Sequence, residues 1–404
     1  MAANQTSPAP GRALHLALLL ALVGPTFTMS VLPPALPMVA QFLGGGRQGE
    51  VLAQRAQSLP FLGLAIGGLL AGSLIDRWGL RRCLLGAALI YAAAGAAGGL
   101  AASKELLLVS CFVIGLAAAM LSCGLTTATG AAFSGRARAR ALGFQTAFSD
   151  AAAIGGGLTA ALLAQVYGWR GPLAIYVGFG VLILALVAPS RLPRIAPDPN
   201  PGHGLSRVMR SAGSTYVATL LLFVVMGTQA TLLPFHLAAN GLATPGARAI
   251  VLTSAPAMAI LASIAYGLLS GRISDRGMAL AATTVSVAGY AAMGLWRGGL
   301  VPVTLASMAV GCGMGLSFPM LIRAAFRRTP PPLHSYSIGL LNTAVFLGAF
   351  LSPLILGPLM RASGASALFL LCGGAWWFGG ILAAWRLSGT VRIDHLAAAS
   401  TDAG

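Results

Sequence analysis

Hydrophobic positions along the chain gather into long unbroken runs separated by short polar turns. Twelve runs can be drawn, at residues 13–40, 57–76, 82–102, 106–133, 141–166, 171–189, 213–238, 249–271, 279–297, 301–324, 336–361 and 365–387. Each comes near the ~20 residues that an α-helix needs to cross a hydrocarbon core of ~30 Å. The pattern predicts an all-α membrane protein of twelve transmembrane helices. The first run is too long for a secretory leader and lacks a small-residue cleavage site, so it reads as the first span. One polar stretch is long enough to be a linker, 190–210, with Pro193, Pro197, Pro199, Pro201 and four arginines. Its prolines predict an extended strap between two six-helix bundles. The expected division is 1–189, 190–210 and 211–404.

Composition agrees with the runs. A chain that is 57% hydrophobic and 8% charged, with mean hydropathy +0.84, is no soluble globule. The 25 basic residues outnumber the 8 acidic ones. In a soluble protein that balance suggests nucleic acid, but here the bases sit in short turns between apolar runs and report topology. An even number of spans places both termini on one side. That side holds 18 of the bases, and the other holds seven: Arg47, Arg55, Lys104, Arg170, Arg248, Arg297 and Arg361. The asymmetry predicts cytoplasmic N- and C-termini. Cys83, Cys111, Cys123, Cys312 and Cys372 lie in or against apolar runs without paired spacing, so neither a metal nor a disulfide is expected. No phosphate-binding G-x-x-x-x-G-K-[ST] loop occurs, which excludes ATP-driven pumping, and no cofactor is expected.

Between the second and third runs stands Gly72-Ser-Leu-Ile-Asp76-Arg77-Trp-Gly79-Leu-Arg81-Arg82. It reads as a tight hairpin in which Gly72 lets helices approach closely, Gly79 makes the turn and Asp76 caps or pairs locally. Gly271-Arg-Ile-Ser-Asp275-Arg276-Gly277 repeats the spacing 199 positions later, and Gln145-Thr146-Ala147 corresponds to Asn342-Thr343-Ala344 at 197. Two similar offsets of nearly half the chain mark an internal duplication. Glycines at 63, 67, 68 and 72, at 155–157 and at 311, 313 and 315 predict close helix contacts. Pro25, Pro33, Pro34, Pro37, Pro353 and Pro358 predict kinks that free carbonyls toward a cavity.

The G-x-L-x-D-R-x-G-x-R-R hairpin resembles motif A of the major facilitator superfamily. The resemblance implies two pseudo-symmetric six-helix bundles that rock about a midplane site, with helices 1, 4, 7 and 10 around the cavity and 2, 5, 8 and 11 at its sides. It makes Gly72, Asp76, Arg77, Gly79, Arg81 and Arg82, with Asp275 and Arg276 in the second copy, a conformational motif. The first copy would lie beside the start of helix 11, near residues 335–337. The Phe346-Leu-Gly-Ala-Phe-Leu-Ser-Pro353 pattern and Gly168-Trp169-Arg170 are similar to bacterial efflux members. The chain also departs from them. Cys111 stands where drug/proton antiporters often carry an arginine before Gly115, only Gly155-Gly156 survives of the helix 5 Gly-Pro-x-x-Gly-Gly motif, and the first run has no acid.

Of eight acidic residues only Asp150 lies inside a run, about nine residues or roughly 14 Å deep. An acid there costs about 2.5–3.5 kcal/mol on insertion scales and marks a functional site by default. With no deep basic partner it can stay protonated, accept hydrogen bonds from Ser149 or Gln145, or meet a proton or cation from a cavity. Thr28, Met29, Thr126, Gln145, Ser149, Met226, Gln229, Phe318, Asn342 and Phe346 are the expected cavity residues, polar groups on an adaptable apolar wall. His236 is read as interfacial. The function expected is proton-coupled efflux of a small amphipathic compound by a monomer in the bacterial inner membrane, its partners being substrate, proton and lipid. Proton-linked or facilitated uptake of a metabolite is the alternative within transport. A non-transporting receptor or scaffold would be favoured by a large soluble domain, and a membrane enzyme by clustered His, Asp or Glu at bilayer depth. The sequence shows neither, and no enzyme is expected.

Overall fold

A computed structural model shows the fold and describes residues 12–133, 135–190, 192, 201–269, 272–330 and 333–401. The helices are α1 (Arg12–Leu19), α2 (Val23–Ser30), α3 (Leu36–Phe42), α4 (Gly46–Trp78), α5 (Leu80–Gly99), α6 (Lys104–Ala132), α7 (Gly135–Tyr167), α8 (Leu173–Val187), α9 (Pro201–Met226), α10 (Thr228–Thr231), α11 (Leu233–Ala239), α12 (Pro245–Leu269), α13 (Asp275–Leu295), α14 (Leu300–Arg327) and α15 (His334–Thr401). No strand element occurs among the described residues.

Nine of these helices are long and apolar enough to cross a membrane, or ten when α1 and the α2–α3 segment are taken as one span bent by 41°. The expected twelve are reached only by adding α8, which is apolar but 15 residues long, and by dividing α15 at Gly364. There φ is 85° and the helical path breaks, a conformation natural to glycine. Three expectations need correction. The second span begins at Gly46, well before its apolar run, and its first turns pack on α3, where Gly49 sits so close under the Ala40 carbonyl that a Cβ there would collide with it. The described part of the expected strap, Pro201 to Arg210, is helical, since proline at a first helical position supplies the right φ and has no N–H to leave unpaired. Gly72 is exposed with nothing within 4 Å of a built Cβ, so it makes no close helix contact.

The close approaches lie elsewhere and come twice. A Cβ at Gly115 on α6 would strike the backbone of Pro60 on α4, and a Cβ at Gly311 on α14 would strike that of Ala255 on α12. Gly63 meets the Phe112 carbonyl from the α4 side, and Gly315 meets that of Ala259. In lipid, where no hydrophobic force drives helices together, such backbone contact supplies the dispersion that holds them. Helices α1–α8 pack chiefly on one another, as do α9–α15, and α4 against α15 and α7 against α12 join the two sets.

Consecutive spans alternate direction, so α1 starts at one end of the bundle, termed the near end, and α3 meets α4 at the far end. Side-chain contacts between the sets run from mid-depth to the far end. Arg248 donates from Nε to the Pro34 carbonyl at 2.9 Å. Gly157 faces Thr253, Gly246 faces Gln165, and Gly357 faces Gln54. Toward the near end the same helices expose Gly68, Leu69 and Leu70 on α4, Phe144 and Phe148 on α7, and Ile338 and Asn342 on α15. Among the described residues, the contacts that join the sets thus lie from mid-depth to the far end.

Candidate functional site

The first span is interrupted twice, between α1 and α2 and at Pro33 and Pro34, and side chains from neighbouring helices bond to its carbonyls. Gln57 donates to the Thr28 carbonyl at 2.9 Å, Tyr91 to Gly24 at 3.3 Å and Tyr176 to Phe27 at 3.3 Å. The seventh span breaks likewise around Gly227, between α9 and the single turn α10 that carries Gln229. Non-helical backbone at membrane depth survives only where it is satisfied by protein or lines a cavity, so these breaks mark the centre of the molecule.

Asp150 sits near the middle of α7. Gly157, two turns further, lies on the same face and meets Thr253 of α12, so Asp150 looks along the junction of the two sets just below its closure. It is half-buried and makes no hydrogen bond or ion pair among the described residues. Neither neighbour named as a donor reaches it. Gln145 is buried and spends its amide on the Leu18 carbonyl and Thr129 Oγ1, both at 2.7 Å, while Ser149 pairs with Thr26 and the Leu22 carbonyl.

The other expected cavity residues divide. Met29 and Phe346 are half-buried and touch the hydrophobic clusters of both sets, so they meet at the junction. Asn342 is exposed one turn nearer than Phe346 on the same face of α15. Phe318 stands edge-on to Phe223 at 6.0 Å beside Met226 in the second set's core. Gln229 donates to Met293 Sδ at 3.5 Å. Thr28 is buried and bonded to the Pro25 carbonyl, and the Thr126 hydroxyl is buried within the first set. Thr28, Thr126 and Gln145 are therefore internal to their helix set, whereas Asp150, Met29, Phe346 and Asn342 border the gap. His236 is buried against Trp296 and Phe369 at the far end of the seventh span. Arg248 was legible only as one more turn arginine. In fact it is 1% exposed, with three carbonyl partners, and nothing in the local pattern signals that burial.

The two Asp-Arg hairpins lie at the near end. Gly79, at φ 79°, ends α4 and starts α5, and its N–H closes on the Ile75 carbonyl at 2.8 Å. Asp76, Arg77 and Arg82 are exposed without partners among the described residues, and Arg81 donates to the Ala188 carbonyl at 2.6 Å. In the second copy Gly271 lies outside the described residues. Ser274 caps α13 through the Gly277 N–H, Arg276 is exposed, and Asp275 pairs with Arg323 at 3.3 Å and Arg327 at 3.4 Å.

Two helix sets joined at one end about a cleft, each opening on a broken span, describe a polytopic membrane transporter. The chain belongs to the Major Facilitator Superfamily, whose family model matches residues 18–353. No curated protein matches it. Solved structures share the fold at low identity. A peptide transporter POT bound to sulfate aligns at TM-score 0.76 and 15% identity over 96% of this chain and 97% of its own. The nucleoside transporter NupG gives 0.70 and 12% over 93% and 99%, and a D-xylose-proton symporter 0.70 and 13% over 93% and 96%.

Proposed function

We propose that the chain exports a small amphipathic compound in exchange for protons, as a monomer in the bacterial inner membrane with both termini cytoplasmic. The halves 1–189 and 211–404 rock about the junction, tethered through 190–210. The observation that carries this reading is Asp150, an acid at mid-depth, on the junction face of α7, with no partner among the described residues. A carboxyl group in that position is free to hold a proton or a cationic head group, and the two exclude each other, which is the requirement for exchange. Met29 and Phe346, which touch the cores of both sets, offer an apolar body adaptable contact at the same junction. The direction of transport rests on the Phe346 to Pro353 and Gly168 to Arg170 patterns. Asp76 serves the conformational equilibrium and not the ligand.

The test uses everted membrane vesicles carrying the protein, energised to an acidic interior and monitored with a pH-sensitive dye. Cationic, neutral and anionic amphipathic compounds are added in turn. Export by exchange predicts that at least one cationic compound releases internal protons, and only in vesicles containing the protein. Proton movement accompanying the compound in the same direction would establish uptake by symport in its place.

A further inference from the structure

The far end is poor in bases, yet it concentrates them. Of its seven, Arg170 donates to the Ala101 carbonyl and lies over the Trp169 ring at 4.4 Å, and Arg248 is bonded to three carbonyls. Arg297 is bonded to the Gly294 and Trp296 carbonyls and Ser366, and Lys104 stands 3.9 Å from Glu105. The side chains of the remaining three, Arg47, Arg55 and Arg361, make no hydrogen bond or ion pair among the described residues, and all three line one open groove of about 360 Å³. Arg47, Val51 and Arg55 follow each other at four-residue spacing on one face of α4, so the two guanidinium groups are about 12 Å apart along the axis before their side chains bend.

Arg361 comes from the opposite helix set, one turn before the break at Gly364. A Cβ at Gly357 would stand 3.2 Å from Arg361 Nη1 and 3.0 Å from Gln54 Oε1, so the absence of a side chain at 357 lets the guanidinium fold over the junction toward α4. Glu50, the acid of this stretch of α4, lines a neighbouring cavity with Phe235 and Ala239, and no carboxylate borders the arginine cavity. Three like charges from two moving bodies, drawn together without a counter-charge, repel one another and oppose closure unless an anion joins them.

We propose that this cavity is a binding site for a phosphate group, which bridges α4 and α15 and favours the closed far end. Guanidinium forks match phosphate oxygens in pairs, and three forks around one group satisfy more oxygens than a carboxylate offers. The apolar Val51 and Leu52 beside them suit a phosphate carried on a larger molecule as well as the free ion. The site is separate from Asp150, and its occupancy changes the opening of the far end without contact with the transported compound.

The experiment is hydrogen–deuterium exchange of the delipidated full-length protein in detergent, read by mass spectrometry over 43–56 and 355–363. Three arms are compared at equal ionic strength: chloride, inorganic phosphate, and mixed micelles containing phosphatidylglycerol. At ten times its Kd a ligand that binds only the closed form should slow exchange in both segments about tenfold. Arg361→Gln should abolish the slowing. The double variant Arg47→Gln/Arg55→Gln, on an exposed face of α4, should do the same and carries the test if Arg361→Gln fails to fold. Slowing by inorganic phosphate supports the site for the group itself, and slowing by phosphatidylglycerol alone supports a lipid headgroup. No slowing in either arm, or equal slowing in parent and variants, overturns the proposal.

Discussion

The hairpins at Asp76 and Asp275 occupy equivalent places in the two helix sets, yet their charges behave differently. Asp275 is held within its own set by Arg323 and Arg327 of α14. The residues 196 positions earlier on α6, at the offset of the packed glycines Gly115 and Gly311, are Thr127 and Ala131, which offer no charge. Asp76 is consequently exposed and unpaired among the described residues. The packing beneath has not diverged in this way. Gly115 against Pro60 and Gly311 against Ala255 are the same backbone contact made twice, 196 and 195 positions apart. Duplication has kept the geometry that holds each set together and released one carboxylate from it. On the function proposed above, a carboxylate so released is available to the amide groups at the start of α15 when the near end closes.

The contrast can be broken first at the packing, where the effect is largest. Gly115→Leu and Gly311→Leu each place atoms on a neighbouring carbonyl, and each should lower stability by at least the roughly 1–3 kcal/mol of an overpacked core. Thermal unfolding in detergent should find the two losses similar, while Gly72→Ala stays within about 0.5 kcal/mol of the parent. A Gly72→Ala loss as large as the others would return that residue to the helix contact. Next comes Asp76→Asn, which should cut transport severalfold and leave the melting temperature unchanged. The removed attraction is roughly 0.3–1 kcal/mol, and up to ~2 when partly buried, enough to shift populations by such a factor. An equal loss of ligand affinity would assign Asp76 to binding. The smallest effect belongs to Asp275→Asn. Its ion pairs are partly exposed, with the Asp275 side chain at 33%, so stability should fall by no more than about 1 kcal/mol, and less in high salt. A larger transport defect than that of Asp76→Asn would reverse the roles given to the two copies.

Much of this was legible in the sequence. Apolar runs located the helices, and Gly79 announced the turn because no other residue enters that backbone region so cheaply. The interruption between α2 and α3 followed from Pro33 and Pro34, whereas the 41° bend lies between Leu19 and Val23, ahead of every proline in the span. What failed to show is partnership across the fold. Gln145 and Asp150 are both polar residues in one apolar run, and only packing reveals that the first is satisfied inside its set while the second borders the gap. Arg248 and Arg361 read alike as turn arginines. One is buried under carbonyls and the other lines a cavity, a difference set by residues about 200 positions or more distant, Pro34 and the first turns of α4. Gly72 misled because a glycine in a helix signals either close contact or none.

The most direct measurement is transport by Asp150→Asn in proteoliposomes under an imposed pH gradient. Asparagine imitates the protonated acid without its ability to release the proton. Gradient-driven accumulation should be abolished and its dependence on pH flattened, while gradient-independent exchange of a neutral substrate continues. Accumulation equal to the parent, with the same pH dependence, would contradict proton coupling at Asp150 and with it the exchange reading.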